Sequence, residues 1–266
     1  MADLESFFAG VRLPVLSPVT VDLISMLSNE RATMDDICTV ISKEPAIAAR
    51  LLKLANSSQF GLPRSVGLLE DAVTLVGLER VGSLAIGASL SSSIHEFAGL
   101  DRHRFWTSAM HCAGYAQWLA PPAGIPAPTG WLTGMMLRLG QLLIAQAEPD
   151  ILQAIEALPV IPGVRWQREQ HLLGFTEGQI TAEMAAHWNF PPQIVQGLRH
   201  AADPMAEDGF SRLGAVIHLA GLLAETQDAS PDSIETLPWD VIAALELDIR
   251  WMRASFPDRE KFVNVS

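Results

Sequence analysis

Arg138 is the single formally charged side chain in 43 residues, Phe105 to Ala147, where it sits inside Gly134-Met-Met-Leu-Arg-Leu-Gly-Gln-Leu-Leu-Ile144. A guanidinium pairs well with carboxylate or phosphate, so the chemistry open to it is the binding of an anion. No Asp or Glu lies in the stretch to hold a metal or trade a proton. An unpaired charge among apolar neighbours is strongly disfavoured. Arg138 must therefore reach water past those neighbours, form an internal ion pair, with Glu177 as a candidate partner, or hold an anionic ligand.

The remaining candidates carry less. His111 has an imidazole that could ligate a metal or move a proton, but one such group without neighbouring ligands reads as a structural residue with a single hydrogen bond. Arg50 and Lys53 flank an apolar helix face, and Asn56 is placed to cap its end, so these read as residues that hold and solvate the fold. No Ser-His-Asp, Gly-x-Ser-x-Gly or phosphate-loop pattern is present.

The chain has 266 residues, 49% of them hydrophobic, and a formal net charge of -12. That composition fits a packed globular protein, and the charge argues against a nucleic-acid partner, which would need a cationic stripe. Seven acids and no Lys or Arg lie between Glu225 and Asp248, and Arg250, Arg253, Arg259 and Lys261 follow; both runs read as solvated faces. Cys38 and Cys112 are far apart, and the start Met1-Ala-Asp-Leu-Glu-Ser-Phe-Phe8 has acids where a secretory signal has basic residues. A reduced, cytoplasmic protein with buried cysteines is expected. Apolar segments are interrupted before the roughly 20 residues that span a bilayer, so no membrane role is expected.

Helix punctuation recurs, and strand signals are few. Ser17-Pro18 opens a helix to Leu27 with Val19, Leu23 and Leu27 on one side. Thr33-Met-Asp-Asp36 resembles a capping box ahead of Ile37, Val40 and Ile41, and Glu44-Pro45 starts a helix to about Asn56 that carries Ile47, Leu51 and Leu54. Leu69 to Val76 forms the next, with Gly77 suited to a left-handed position, and Leu78 to Ser91 another. A soft boundary falls near residues 96 to 102. Beyond it, helices are expected at Phe105 to Ala120 and Trp131 to Ala147, around the loop Pro121-Pro-Ala-Gly-Ile-Pro-Ala-Pro128. Thr176-Glu-Gly-Gln179 caps a helix to Trp188, Asn189-Phe-Pro-Pro192 separates it from one to His200, and Ser211 starts another through Ala224. A last helix follows Pro238, with a short tail after Pro257. The expectation is an all-α chain of some dozen helices.

Three segments, Leu13-Pro14, Ile41-Ser-Lys-Glu-Pro-Ala-Ile-Ala-Ala-Arg-Leu-Leu-Lys-Leu-Ala-Asn-Ser-Ser-Gln-Phe-Gly61 and Ala72-Val-Thr-Leu-Val-Gly-Leu-Glu-Arg80, closely resemble the HDOD domain, a bacterial relative of HD-type phosphohydrolases. The resemblance continues through Phe105-Trp-Thr-Ser108, Gly134 to Ile144, Gly174-Phe175, Trp188-Asn-Phe-Pro191 and Val216-Ile-His-Leu-Ala220. It implies one HDOD domain over 12–250, with an HD-like all-helical fold: an N-terminal helical subdomain, 12–98, a degenerate HD-like subdomain, 99–250, and a tail, 251–266.

Catalytic HD proteins hold one or two metals with a His, a His-Asp pair and a distal Asp. The resemblance places these at Ser108, Leu137 with Arg138, and Gly221, so all four identities are lost. A further His position is Glu177, and a paired His motif is reduced to His200-Ala201. His111 lies one turn after Ser108 and could replace one ligand, yet it lacks partners. His200 and His218 match family positions and read as capping or core residues.

The resemblance implies a non-catalytic bacterial signalling or regulatory protein, without cofactor or metal, that acts through a protein partner. The alternative is a sensor that binds an anionic small molecule or nucleotide near Arg138, with Glu177, His111 and His200 as further candidate contacts. A residual phosphohydrolase with displaced ligands is the third reading.

Overall fold

Capping side chains and prolines set where the helices begin, and all secondary structure among the described residues is helical. The computed structural model describes residues 4–27, 31–57, 60, 65–93, 100–206 and 209–263. The expected soft boundary falls largely on 94–99, and the end of the motif at Gly61 is likewise outside the described residues.

Helix α1, Leu4–Ala9, precedes a layer of α2, Pro18–Leu27, α3, Met34–Ser42, α4, Pro45–Ala55, α5, Leu69–Val76, and α6, Leu78–Ser93. The capping box at α3 forms: Thr33 accepts from Asp36 N, and Asp36 accepts from Thr33 N. It aims Ile37, Val40 and Ile41 inward, where they join Leu23, Ile47, Leu51 and Val73 in one apolar core. Gly77 departs from the expected left-handed helical position. Its φ of 87° is positive, but ψ is 144°, a backbone region almost confined to glycine.

The larger core is built on α7, Arg102–Leu119, and α8, Ala127–Met136. Glycines bring these two together: a Cβ on Gly130 would lie 2.6 Å from Ala116 O, and one on Gly134 would lie 2.8 Å from Cys112 O. Here α8 starts inside the expected proline loop, because Pro126 serves as its N-cap. Arg80 of α6 ties the two layers, its guanidinium 4.6 Å from the centre of the Trp131 ring and Nη2 donating to Gln117 Oε1 at 3.0 Å.

The expected single helix from Trp131 to Ala147 is interrupted. A 3-10 turn, Leu137–Leu139, separates α8 from α9, Gly140–Ala147. Gly140 is pressed against the Glu177 carbonyl, where a Cβ would collide. Its N–H donates to Thr181 Oγ1 at 2.8 Å, and that hydroxyl in turn reaches the carbonyls of Leu137 at 3.1 Å and Glu177 at 2.8 Å. The turn thereby swings Arg138 toward the start of α12, Glu177–His187.

Several helices were not expected from the sequence, among them α1 and, next to the site, α10, Pro149–Glu156, and α11, Val164–Leu173. The buried face of α11 is Trp166, Glu169 and Leu173, so a carboxylate sits where the apolar period would need a hydrophobe. Downstream come α13, Pro192–Arg199, α14, Arg212–Glu225, a 3-10 turn at Pro231–Thr236, α15, Trp239–Ala244, α16, Ile249–Ala254, and α17, Glu260–Val263. The described part of the expected tail, to residue 263, is thus partly helical and docked: Phe262 meets Tyr115 edge-on at 5.2 Å in the space left by Gly114, and Trp251 stacks on Trp118 at 5.4 Å.

Both cysteines are free, and burial pushes the Cys112 thiol up to about 12, which removes it as a nucleophile. Among the described residues no single helix is long and apolar enough to cross a membrane.

Candidate functional site

Thr176 accepts from Gln179 N, Gln179 accepts from Thr176 N, and this capping box fixes Glu177 as the first residue of α12, fully buried. From there its carboxylate meets Arg138, whose side chain is 1% exposed. Arg138 Nη1 donates to Glu177 Oε1, and Nη2 lies 2.9 Å from Glu225 Oε1 at the end of α14. The Glu177 oxygens are further occupied: Oε1 accepts from Trp166 Nε1 at 3.1 Å, and Oε2 accepts from Gln141 Nε2 at 2.6 Å. A buried charge pair persists when its remaining lone pairs are filled in this way. Burial works against the Arg138 charge, but Glu177 and Glu225 together outweigh it and raise its pKa.

A second guanidinium adjoins the first. Arg165 Nε donates to Glu169 Oε1 at 2.9 Å, Nη1 pairs with Glu156 Oε1 at 2.5 Å, and Nε is 3.8 Å from Glu177 Oε2. Glu169 Oε2 accepts from Glu177 N at 2.7 Å, which binds α11 to the start of α12. Four carboxylates thus face two buried guanidiniums, and burial, helped by Glu177, pushes the Glu169 carboxyl up to about 8 against the pull of Arg165. Arg104 at the rim adds a longer pair to Glu156, 3.5 Å.

Above this network lies a cavity of about 350 Å³, lined by Ser108, His111, Arg138, Gln141 and Glu225 among others. His111 is 6% exposed, and its Nδ1 accepts from Arg259 Nη2 at 3.0 Å. Burial, with help from Arg259, pushes it down to about 4, so the imidazole is neutral near pH 7. Of the expected contacts, Arg138 and His111 line the cavity; Glu177 is sealed beneath it, and His200, at the end of α13, is not part of its lining. His218 Nδ1 lies 2.8 Å from the Ala201 carbonyl, and its ring tilts over Trp166 at 5.1 Å. Arg104, Arg165, Arg168 and Arg259 reach the cavity without having been expected there.

The four positions that the resemblance matches to the metal ligands of catalytic HD proteins do not fit a metal here. Ser108 supplies a hydroxyl, Leu137 is apolar and buried, and Arg138 is a cation already held by two carboxylates. At Gly221, a Cβ would stand 2.9 Å from the Trp166 ring. Among the described residues no group of three or more His, Cys, Asp and Glu is arranged to hold a metal ion.

Known proteins share this architecture. The HDOD domain model matches residues 13–204. The chain belongs to the HDOD family. A curated relative from Treponema pallidum (strain Nichols), an uncharacterized protein, is 26% identical over 218 residues, which is 79% of this chain and 42% of that protein. The chain therefore spans less than half the length of that relative. A crystal structure from Marinobacter aquaeolei VT8, provisionally named a signal transduction protein, is 25% identical with a TM-score of 0.76, covering 98% of this chain and 62% of the other. An HDOD domain protein of unknown function from Geobacter sulfurreducens superposes with a TM-score of 0.77 at 19% identity, covering 99% and 97% of the two chains. One provisionally named a phosphohydrolase, from Shewanella amazonensis SB2B, does so with a TM-score of 0.71 at 24% identity over 97% and 92%. At those identities the likeness of the last two to this chain is one of fold.

Proposed function

We propose that this HDOD protein is a non-catalytic signalling module that works by binding another protein. The observation that carries the non-catalytic half is the pairing of Arg138 with Glu177, capped by Trp166 and Gln141, at the positions where a hydrolase keeps its metal. Hydrolysis of a phosphoester by an HD protein needs a metal to lower the pKa of its water and to neutralise charge on the phosphoryl group. Here a guanidinium fills the place of the cation, and a cation fixed to its own carboxylates activates no water. The signalling half is supported by the family and by the provisional name of the relative from Marinobacter.

The purified protein, given manganese, magnesium or nickel, is expected to release no nitrophenol from bis(4-nitrophenyl) phosphate or 4-nitrophenyl phosphate above the protein-free rate. Metal-dependent turnover would overturn the non-catalytic reading. For the partner, cross-linking in the native cell is expected to join the chain to a defined protein at fixed stoichiometry that purified components reproduce. Failure to reconstitute any such pair would remove the protein-binding half.

A further inference from the structure

The 350 Å³ cavity gathers positive charge in a chain whose formal net charge is -12. Its lining has five arginines, at 104, 138, 165, 168 and 259, against three acids, Asp101, Glu156 and Glu225. A recess lined mainly by one sign of charge concentrates counter-ions of the other. The arginines are also unevenly committed. Arg138, Arg165 and Arg104 sit on carboxylates, but Arg168 and Arg259 meet none within ion-pair distance among the described residues. Arg168 Nη2 is held by the Pro159 carbonyl at 3.1 Å, and Arg259 by the Thr226 carbonyl at 3.1 Å and His111 Nδ1. Such neutral acceptors orient a guanidinium and leave its charge in place.

Beneath the cavity wall a few guanidinium N–H groups lack acceptors. Arg165 Nη2 is buried without a hydrogen-bond partner, and so are Nε and Nη2 of Arg138. Nη2 of Arg138 stands 2.9 Å from Glu225 Oε1, close enough for attraction but outside hydrogen-bond geometry. Each buried donor left without an acceptor costs on the order of 1–3 kcal/mol, but these atoms are shut off from the cavity, so an oxyanion there meets Arg168 and Arg259. Beside the charges, the loop between α10 and α11 presents Leu158, Val160 and Ile161, which are 50%, 51% and 52% exposed and line the same cavity. Half-exposed apolar side chains at a cationic recess suit a ligand with one charged end and an apolar body.

We propose that this cavity binds a small organic anion, its phosphate or carboxylate on Arg168 and Arg259, its apolar body along Leu158, Val160 and Ile161. The assignment moves the binding role from Glu177 and His200 to arginines of α11 and the C-terminal segment. It goes beyond the signalling reading and is measured without turnover, so failure here leaves the non-catalytic reading standing, and turnover would sink that reading without touching this one.

Isothermal titration of the full chain with phenyl phosphate, benzoate and inorganic phosphate tests it, the first two separating phosphate from carboxylate. Phenyl phosphate or benzoate is expected to bind at least about tenfold more tightly than inorganic phosphate, since each buried methylene-sized group adds roughly 0.8 kcal/mol. Arg168→Gln and Arg259→Gln are each expected to weaken that binding about tenfold, in line with loss of a charge-assisted hydrogen bond. Arg199→Gln, on α13 and paired with Glu183, is expected to leave it unchanged. Because Arg259 also helps dock the C-terminal helix, Arg168→Gln decides if Arg259→Gln unfolds. No saturable heat from any probe below about 10 mM, or equal weakening by Arg199→Gln, would overturn the site. Equal affinity for inorganic and phenyl phosphate would overturn the apolar half.

Discussion

The Trp166 ring stands 2.9 Å from the place a Cβ on Gly221 would occupy, and its indole N–H is hydrogen-bonded to Glu177. One side chain thus fills the space over Gly221, the position the family resemblance matches to a distal acid, and supplies a donor to the carboxylate beside it.

Placing an acid at residue 221 is therefore expected to damage the fold rather than build a site. Gly221→Asp forces the Trp166 ring aside and places a carboxylate against buried apolar surface, with an expected loss of about 2–4 kcal/mol. Urea unfolding measures it; stability within about 0.5 kcal/mol of the parent would show that the ring has room to move.

Removal of Arg138 leaves Glu177 and Glu225 buried beside each other's charge without their cation. Arg138→Met is expected to cost about 3–5 kcal/mol, and Arg138→Met combined with Glu177→Gln about half as much or less, because no uncompensated charge then remains at residue 177. A double-mutant cycle on urea unfolding checks this. Additive losses from the two changes would mean that the pair is not coupled.

The Arg138–Glu177 pair is the part of the site most legible from sequence, since a lone cation in an uncharged span restricts the choices and a capping box fixes Glu177 at a helix start. The capping boxes at Thr33 and Thr176 were legible for the same local reason: each is closed within four residues. Glu225, Arg165 and Arg259 were not, because they reach the site from α11, α14 and the C-terminal segment by contacts that only the fold creates. In α11 the signal was hidden outright, as Glu169 occupies the buried face and erases the apolar period. The docking of 257–263 was likewise unreadable, since it rests on Phe262 filling a notch over Gly114 on a distant helix and on Arg259 reaching Thr226 and His111.

His111 gives the folded state a pH dependence of definite sign. Its folded pKa is pushed down to about 4 from an ordinary 6.5, so the unfolded chain takes up the proton first. The stability that the neutral imidazole contributes is present above pH 6.5 and is lost as pH falls toward 4. Protonation would also remove the acceptor for Arg259. The difference in unfolding free energy between the parent and His111→Gln, followed across that window, is expected to shrink as the pH falls; a flat difference would contradict it.

Phe262 anchors the segment that brings Arg259 to the cavity. Phe262→Ala is expected to cost about 2 kcal/mol, at the low end for a phenylalanine because the ring is only partly buried. Amide hydrogen exchange should then speed up across 257–263 while the centre of α7 stays protected. Uniform acceleration through α7 would show that the segment is not an independent unit.

The central proposal is that an internal guanidinium stands where an HD hydrolase would hold metal, and metal stoichiometry tests it most directly. The chain is loaded with manganese, desalted, and analysed by plasma mass spectrometry alongside calorimetric titration. Well below about one equivalent per chain and no saturable heat are expected. Retention of about one or two equivalents, abolished by Glu177→Gln, would contradict it.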